Sequence, residues 1–145
     1  MSIRILVVDD HVTFRDGVAR LLTMLDGRYE IIAGVGSSEE AIALIAALKP
    51  DIVLTDIELP GENGIEATRR IRRTWPHIAV IVMSNHAVEV YRQAALNAGA
   101  VGFVDKMELA RVLPGVLAVA GEGATSLDQA PNWTSTGPER GRGAA

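Results

Sequence analysis

The chain has 145 residues, 48% of them hydrophobic and 22% charged, with a formal net charge of −4. These values are typical of one soluble globular domain with its own core, and the acidic balance argues against a surface that binds nucleic acid directly. The absence of cysteine excludes disulfides and thiol chemistry. No apolar stretch approaches about 18 residues and no signal peptide is recognisable, so we expect a cytoplasmic protein that does not enter the membrane.

Short apolar runs alternate with helical patterns along the chain. The runs predict five strands, at residues 3–8, 29–35, 51–55, 78–83 and 101–104. A helical pattern follows each run, and these patterns end near Leu25, Pro50, Trp75, Gly99 and Gly121. Strands that alternate with helices predict an α/β fold, a doubly wound (βα)5 flavodoxin-like parallel sheet with right-handed crossovers and strand order 2-1-3-4-5.

The composition changes at about Glu122. Residues 122–145 are rich in Gly, Pro, Ser and Thr and have no apolar periodicity, which is typical of a flexible tail or linker. We therefore expect residues 1–121 to form the folded domain. Trp133 is the one tail residue whose side chain is suited to docking on another surface.

Three acidic residues follow predicted strands. Asp9 and Asp10 come directly after the first strand, and Asp56 follows the third. Parallel strands place their carboxyl ends at the same edge of a sheet, outside which open α/β folds bind ligands. Clustered carboxylates repel each other, so a hard divalent cation is expected among them. Ser84 and Lys106 follow the fourth and fifth strands and should lie at the same edge.

Four stretches of the sequence resemble the receiver domain of bacterial two-component response regulators, specifically its LuxR/NarL-type branch. They are Val-Val-Asp-Asp-His-Val-Thr-Phe-Arg-Asp-Gly-Val-Ala-Arg-Leu-Leu at 7–22, Leu-Thr-Asp-Ile-Glu-Leu-Pro-Gly-Glu-Asn-Gly at 54–64, Met-Ser-Asn-His at 83–86 and Gly-Ala-Val-Gly-Phe-Val-Asp-Lys at 99–106. The resemblance covers residues 3 to about 121. It implies a signalling domain that catalyses only its own phosphorylation and dephosphorylation, with a sensor histidine kinase or a phosphotransfer protein as the phosphodonor.

The resemblance implies that Asp56 is the phosphoacceptor. Phosphoryl transfer needs mostly positioning and charge neutralisation, and the resemblance gives this role to Lys106 and Ser84, each on one phosphoryl oxygen. Lys106 is also expected to pair with the acids before phosphorylation. The alternative for Asp9 and Asp10, a simple helix N-cap, is weakened because all these residues occur together.

A magnesium ion is the cofactor that the resemblance implies, with Mn²⁺ as a possible substitute. Its expected ligands are Asp10, Asp56 and the backbone carbonyl of Glu58, with Asp9 acting largely through water. His11 and His86 lie near the same edge, but neither a cysteine nor a third suitably spaced histidine accompanies them. We therefore expect both histidines to line the mouth of the site rather than to bind metal.

Two further functions are expected near the phosphoacceptor. Ser84 and Phe103 match the switch positions of the family: Ser84 would move toward the phosphoryl group, and Phe103 would rotate inward or else remain a permanent core residue. Glu58 and His86 should overhang the path of a hydrolytic water and tune the lifetime of the aspartyl phosphate.

The sequence leaves the output of the domain open. LuxR/NarL-type regulators normally continue into a helix-turn-helix domain, and none is recognisable in these residues, so the expected control of transcription would act through a DNA-binding domain absent from this chain. Homodimerisation on phosphorylation is also expected. The alternatives are a stand-alone receiver that acts by protein–protein interaction or as a phosphate sink, and, more remotely, a haloacid dehalogenase-like phosphatase. A degenerate receiver is disfavoured by the intact site.

Pro114 and Gly115 depart from the family pattern because they fall inside the expected fifth helix. A proline there removes one backbone hydrogen bond and clashes with the preceding turn, whereas it is tolerated at the first position of a helix. The pattern therefore predicts a short turn followed by a helix from Pro114. Lys106 is followed by Met107, so no cis-proline is expected after it.

Overall fold

The computed structural model describes residues 2–25 and 27–123. Trp133 and nearly all of the predicted tail lie outside the described residues. Five strands and five helices alternate along the described chain. The strands are β1 (Ile3–Val8), β2 (Tyr29–Val35), β3 (Ile52–Asp56), β4 (Ala79–Ser84) and β5 (Gly102–Asp105). The helices are α1 (Val12–Thr23), α2 (Ser38–Leu48), α3 (Gly64–Thr74), α4 (Glu89–Asn97) and α5 (Leu109–Gly123), the last preceded by a 3₁₀ turn at Lys106–Glu108.

All strand pairs are parallel and the sheet order is β2-β1-β3-β4-β5, which confirms the predicted fold. The order reverses between β1 and β3, so the carboxyl ends of these two strands flank a crevice. No described helix has the length and apolar character needed to cross a membrane.

Two apolar layers cover the faces of the sheet. One layer packs α1 and α5 against residues such as Ile5, Leu54 and Ile81, and the other packs α2, α3 and α4 against the alternate residues. Every residue of β3 and β4 is buried, as expected for central parallel strands with helices on both sides. Each fully buried Ile or Leu contributes about 1.5–3 kcal/mol of transfer free energy. These layers therefore supply the rigid support for the polar residues at the sheet edge.

The second and third helices begin at side-chain caps. Ser37 Oγ accepts a hydrogen bond from the Glu40 N–H (3.2 Å), and Glu40 Oε1 accepts one from the Gly36 N–H (3.0 Å), an arrangement close to a capping box. Asn63 Oδ1 accepts from the N–H groups of Ile65 and Glu66 at the start of α3. The α3 cap fixes the loop that follows β3, next to the functional edge.

The fifth helix corrects the expectation about Pro114. The helix starts at Leu109 and continues through Pro114 to Gly123, so no new helix begins at the proline. The carbonyl that loses its partner belongs to Ala110, an exposed residue, where water can replace the missing hydrogen bond. Leu113 and Leu117 are fully buried on either side of the proline, and their packing holds the helix against the sheet.

Candidate functional site

The predicted polar residues meet at the carboxyl edge of the sheet. Asp9 directly follows β1, Asp56 and Ser84 are the last residues of β3 and β4, and Lys106 directly follows β5. Asp9, Asp56 and Ser84 are at most 1% exposed. The sheet therefore presents two buried carboxylates, a hydroxyl and an ammonium within one small region.

Lys106 bridges the two buried carboxylates, as expected. Its Nζ lies 2.6 Å from Asp9 Oδ2 and donates a hydrogen bond of 3.1 Å to Asp56 Oδ2. The Phe14 ring lies on a third side, with its centroid 4.2 Å from Nζ, a distance at which a cation is attracted to the ring face. Nothing in the sequence spacing of Phe14 indicates that it would meet the lysine.

The pKa values of Asp56 and Lys106 are both raised at this edge of the sheet. Burial raises the pKa of Asp56, and the nearby Asp9 carboxylate adds to this effect, while Lys106 opposes it. Burial disfavours the charge of Lys106, but its contacts with Asp9 and Asp56 outweigh this penalty and raise the pKa of Lys106. Lys106 is therefore a permanent cation at physiological pH.

The turn from β1 to α1 is held through Asp9. The His11 N–H donates to Asp9 Oδ1 (2.9 Å), and Arg15 Nη1 donates to the Asp9 carbonyl oxygen (2.7 Å). Asp9 Oδ2 forms an ion pair with Lys106 Nζ at 2.6 Å and accepts no further hydrogen bond in the described part of the chain, so this buried carboxylate keeps acceptor capacity.

The donor set at this edge fits a hard divalent cation. Asp9, Asp10, His11 and Asp56 each offer one ligand atom, and these atoms all lie within 4.8 Å of one another. Asp9, Asp10 and Asp56 carry three negative charges and Lys106 carries one positive charge. One dication would therefore balance the two negative charges that remain. Carboxylate oxygens are the ligands that Mg²⁺ prefers, and the exposed Asp10 leaves room for its waters.

The loop after β3 passes against its own strand at Gly64. A Cβ added at Gly64 would overlap the backbone carbonyl oxygen of Asp56. The Gly64 N–H donates to the Ile57 carbonyl (2.8 Å), and the buried Thr68 hydroxyl donates to the Gly64 carbonyl (2.7 Å). Gly64 thus fixes the backbone of Asp56, a role that was not predicted from the sequence because the glycine resembled an ordinary loop residue.

The comparisons with known proteins agree with this geometry. The family described as the response regulator receiver domain matches residues 5–116. The chain belongs to this family. Receiver domains interact with histidine kinases or other phosphodonors, and they generally bind Mg²⁺ at an acidic pocket. The family match does not support a haloacid dehalogenase-like phosphatase.

Relatives of this receiver domain are LuxR/NarL-type response regulators. The transcriptional regulatory protein DegU of Brevibacillus brevis is 38% identical over 124 residues, which are 85% of this chain and 52% of DegU. The response regulator GacA of Pseudomonas viridiflava is 39% identical over 104 residues, which are 72% of this chain and 48% of GacA. The chain therefore spans about half the length of these curated relatives.

A solved structure of a LuxR family response regulator from Aurantimonas sp. SI85-9A1 superposes on this receiver domain. The TM-score is 0.77 at 32% sequence identity, and the match covers 90% of this chain and 95% of that one. The signal receiver domain of the putative response regulator NarL from Mycobacterium tuberculosis gives a TM-score of 0.75 at 32% identity over 82% of this chain and 96% of that one.

Two exposed side chains face each other across the mouth of the site. Glu58 Oε2 lies 3.7 Å from His86 Nε2, and both residues are exposed. The backbone of each residue contacts the site: the Glu58 N–H donates to Asp56 Oδ1 (3.3 Å), and the His86 N–H donates to Ser84 Oγ (2.9 Å). The structure thus places both tuning candidates at the position expected for them. Their effect on the aspartyl phosphate stays a prediction.

Phe103 is already buried in this receiver domain. It is 3% exposed and belongs to the apolar layer under α2, α3 and α4. The inward position expected of the switch is therefore the one that Phe103 already occupies, and a movement of Phe103 with Ser84 stays a prediction.

Proposed function

We propose that this receiver domain accepts one phosphoryl group on Asp56 from a sensor histidine kinase or a phosphotransfer protein. The observation that carries the proposal is the convergence of Asp9, Asp56 and Lys106 at the sheet edge, with the ammonium 3.1 Å from Asp56 Oδ2. Mg²⁺, or Mn²⁺ in its place, would be held by Asp9, Asp10 and Asp56 with the Glu58 carbonyl. Bound there, the ion supplies positive charge to a phosphoryl oxygen.

The residues of the chain supply the rest of the chemistry. A carboxylate oxygen of Asp56 forms the new bond to phosphorus while the bond between phosphorus and the donor breaks. Lys106 neutralises a second phosphoryl oxygen by turning from the Asp56 carboxylate to the group bound on it. Ser84 Oγ accepts from the His86 N–H, so its own O–H is free to donate to a third oxygen.

The output of the whole protein is part of the same proposal. The names of relatives such as the transcriptional regulatory protein DegU favour control of transcription, which would act through a DNA-binding domain that is not among the 145 residues of this chain. We propose that residues 1–121 form the receiver and 122–145 a linker or tail, and that phosphorylation promotes a homodimer. The family relationship favours a cytoplasmic location, where kinase and DNA are both available.

The decisive experiment uses a small phosphodonor. The full chain is incubated with acetyl phosphate and Mg²⁺, and its intact mass is measured. We expect a gain of one phosphoryl group, absent in Asp56→Asn and strongly reduced when EDTA removes the ion. Asp16→Asn is the matched control, because Asp16 is an exposed acid on α1. Retention of the added mass in Asp56→Asn would place the acceptor elsewhere.

A further inference from the structure

The exposed His11 imidazole contacts two carboxylates of the acidic site. Its Nδ1 is 3.2 Å from Asp9 Oδ1 and 3.2 Å from Asp10 Oδ1. We infer that His11 is a nitrogen ligand of the metal site, and that the site therefore binds a transition-metal dication such as Ni²⁺, Co²⁺ or Zn²⁺ through mixed nitrogen and oxygen donors. This inference concerns the site of the proposed function and rests on it for the role of the bound ion.

Two of the distances match neighbouring positions of one coordination polyhedron. Neighbouring ligands of an octahedral ion with bonds of about 2.1 Å are about 3.0 Å apart. Both separations between Nδ1 and the Oδ1 atoms of Asp9 and Asp10 are close to this value. A carboxylate oxygen of Asp56 completes a set of four donor atoms within 4.8 Å of one another.

A proton on His11 Nδ1 can form a hydrogen bond with only one of the two nearby carboxylates. A protonated Nδ1 has one N–H, and only its contact with Asp9 has hydrogen-bond geometry. Asp10 Oδ1 lies equally near to Nδ1 without such a bond. Asp9 is completely buried, and its Oδ2 is ion-paired with Lys106 Nζ but accepts no further hydrogen bond among the described residues, so a lone pair on this carboxylate remains for an ion. One dication in place of the proton would contact all the oxygens that Nδ1 faces.

The position of His11 suits an ion that enters from solvent. The side chains of His11 and Asp10 are 68% and 41% exposed, which leaves space for waters on the bound ion. The His11 backbone is held by its N–H bond to Asp9 Oδ1, so the imidazole starts from a fixed point. Imidazole nitrogen favours nickel, zinc and related ions, whereas a set of carboxylates and waters favours Mg²⁺. His11 therefore adds affinity selectively for the transition metals.

The test compares two ions on three forms of the full chain. Calorimetric titrations with Ni²⁺ and with Mg²⁺ are run on the wild type, His11→Gln and His77→Gln. His77→Gln is the matched control because His77 is also an exposed histidine. We expect His11→Gln to raise the Kd for Ni²⁺ by tenfold or more and the Kd for Mg²⁺ by less than threefold, with the control unchanged. A Ni²⁺ Kd for His11→Gln within twofold of the wild type overturns the inference.

A second measurement identifies the atom that binds. Zn²⁺ is diamagnetic, so long-range ¹H–¹⁵N spectra report which imidazole nitrogen it shifts. We expect Zn²⁺ to shift Nδ1 of His11 and to lose this effect in Asp10→Asn. A shift confined to Nε2, or one that persists in Asp10→Asn, contradicts the ligand set.

Phosphorylation of the same proteins in Mg²⁺ separates the two proposals. If Asp56 is phosphorylated but His11→Gln keeps the affinity for Ni²⁺, the proposed function stands and this inference fails. If Ni²⁺ binding depends on His11 but Asp56 gains no phosphoryl group, the metal ligand stands and the proposed function fails.

Discussion

Phe14 holds Lys106 from the side that the carboxylates leave open. The ring centroid is 4.2 Å from Nζ, and Asp9 and Asp56 contact the same ammonium. A cation over an aromatic face gains about 0.5–2 kcal/mol. The ring therefore helps to keep Nζ beside Asp56, the proposed phosphoacceptor.

We expect Phe14→Leu to slow phosphorylation of Asp56 by acetyl phosphate by about twofold to thirtyfold, since a contact of about 0.5–2 kcal/mol is lost. Leucine keeps an apolar side chain on α1 but has no π face. Phe14→Tyr keeps the face and should restore the wild-type rate, measured as the increase of phosphorylated mass with time. Equal slowing in both variants would assign Phe14 to packing alone.

Glu58 and His86 are proposed to act on a hydrolytic water rather than on the phosphodonor. Their side chains are 3.7 Å apart and both are exposed at the mouth of the site. We expect Glu58→Ala and His86→Ala to change the hydrolysis rate of the aspartyl phosphate more than the rate of its formation. The decay is followed by intact mass after the donor is removed, with His77→Ala as the control. Parallel changes in both rates would contradict this role.

At the scale of elements, the start of α3 sets the backbone position of Asp56, the proposed phosphoacceptor. Gly64 is the first residue of that helix, and any Cβ there would meet the backbone of Asp56. Gly17 in α1 offers the opposite case, since an added Cβ meets nothing within 4 Å. The two glycines form a matched pair for the same substitution.

We expect Gly64→Ala to destabilise the domain by about 2–3 kcal/mol, because the overlapping backbone must shift. Gly17→Ala should stabilise it by about 0.5–1 kcal/mol through helix propensity. Urea unfolding curves give both free energies. The yield of phosphorylated Asp56 should fall only in Gly64→Ala, and an unchanged stability and yield there would show that the loop can relax.

The bounds of the strands show how much of the fold can be predicted from the sequence. The bounds of β1 and β2 were predicted correctly because apolar runs define them. The other three strands continue one residue further, to Asp56, Ser84 and Asp105, since these polar residues still pair in the sheet. Because these residues are polar, the sequence predicts that they belong to loops, whereas their pairing with neighbouring strands places them in the sheet.

The sequence predicts those site residues that directly follow strands, and it does not predict contacts that depend on distances in the folded structure. Asp9, Asp56 and Lys106 follow strands, and parallel strands bring them together without further information. The contact of Phe14 with Lys106 and that of His11 with Asp10 are seen only in the folded structure. Pro114 was misjudged for a related reason: burial of the neighbouring leucines outweighs the local preference of proline.

For the whole molecule, the charge of Asp56 opposes folding in the absence of metal. Burial raises the pKa of Asp56, so its ionised form is less favourable in the folded than in the unfolded chain. The penalty is therefore present in full above the folded pKa, and it is relieved as the pH falls toward the unfolded value near 3.8. At neutral pH the apo domain thus carries a destabilising charge that its function requires.

We expect Asp56→Asn to unfold at a higher temperature than the wild type at pH 7.5 in EDTA, because the amide removes the unfavourable buried charge. The difference should narrow as the pH approaches 4, because the wild-type carboxyl then becomes neutral as well. Asp16→Asn is the control, since this acid is exposed and should show no comparable trend. A wild type more stable than Asp56→Asn in EDTA at pH 7.5 would mean that Lys106 outweighs the cost of burial.

Mg²⁺ should reverse this order of stability. An ion that binds only the folded state at ten times its Kd stabilises that state by about 1.4 kcal/mol. The wild type offers three carboxylates to the ion and Asp56→Asn only two, so a Mg²⁺ titration should raise the unfolding temperature of the wild type above that of the variant. Equal shifts in both proteins would show that Asp56 is not among the ligands and that the ion is held by the β1–α1 turn alone.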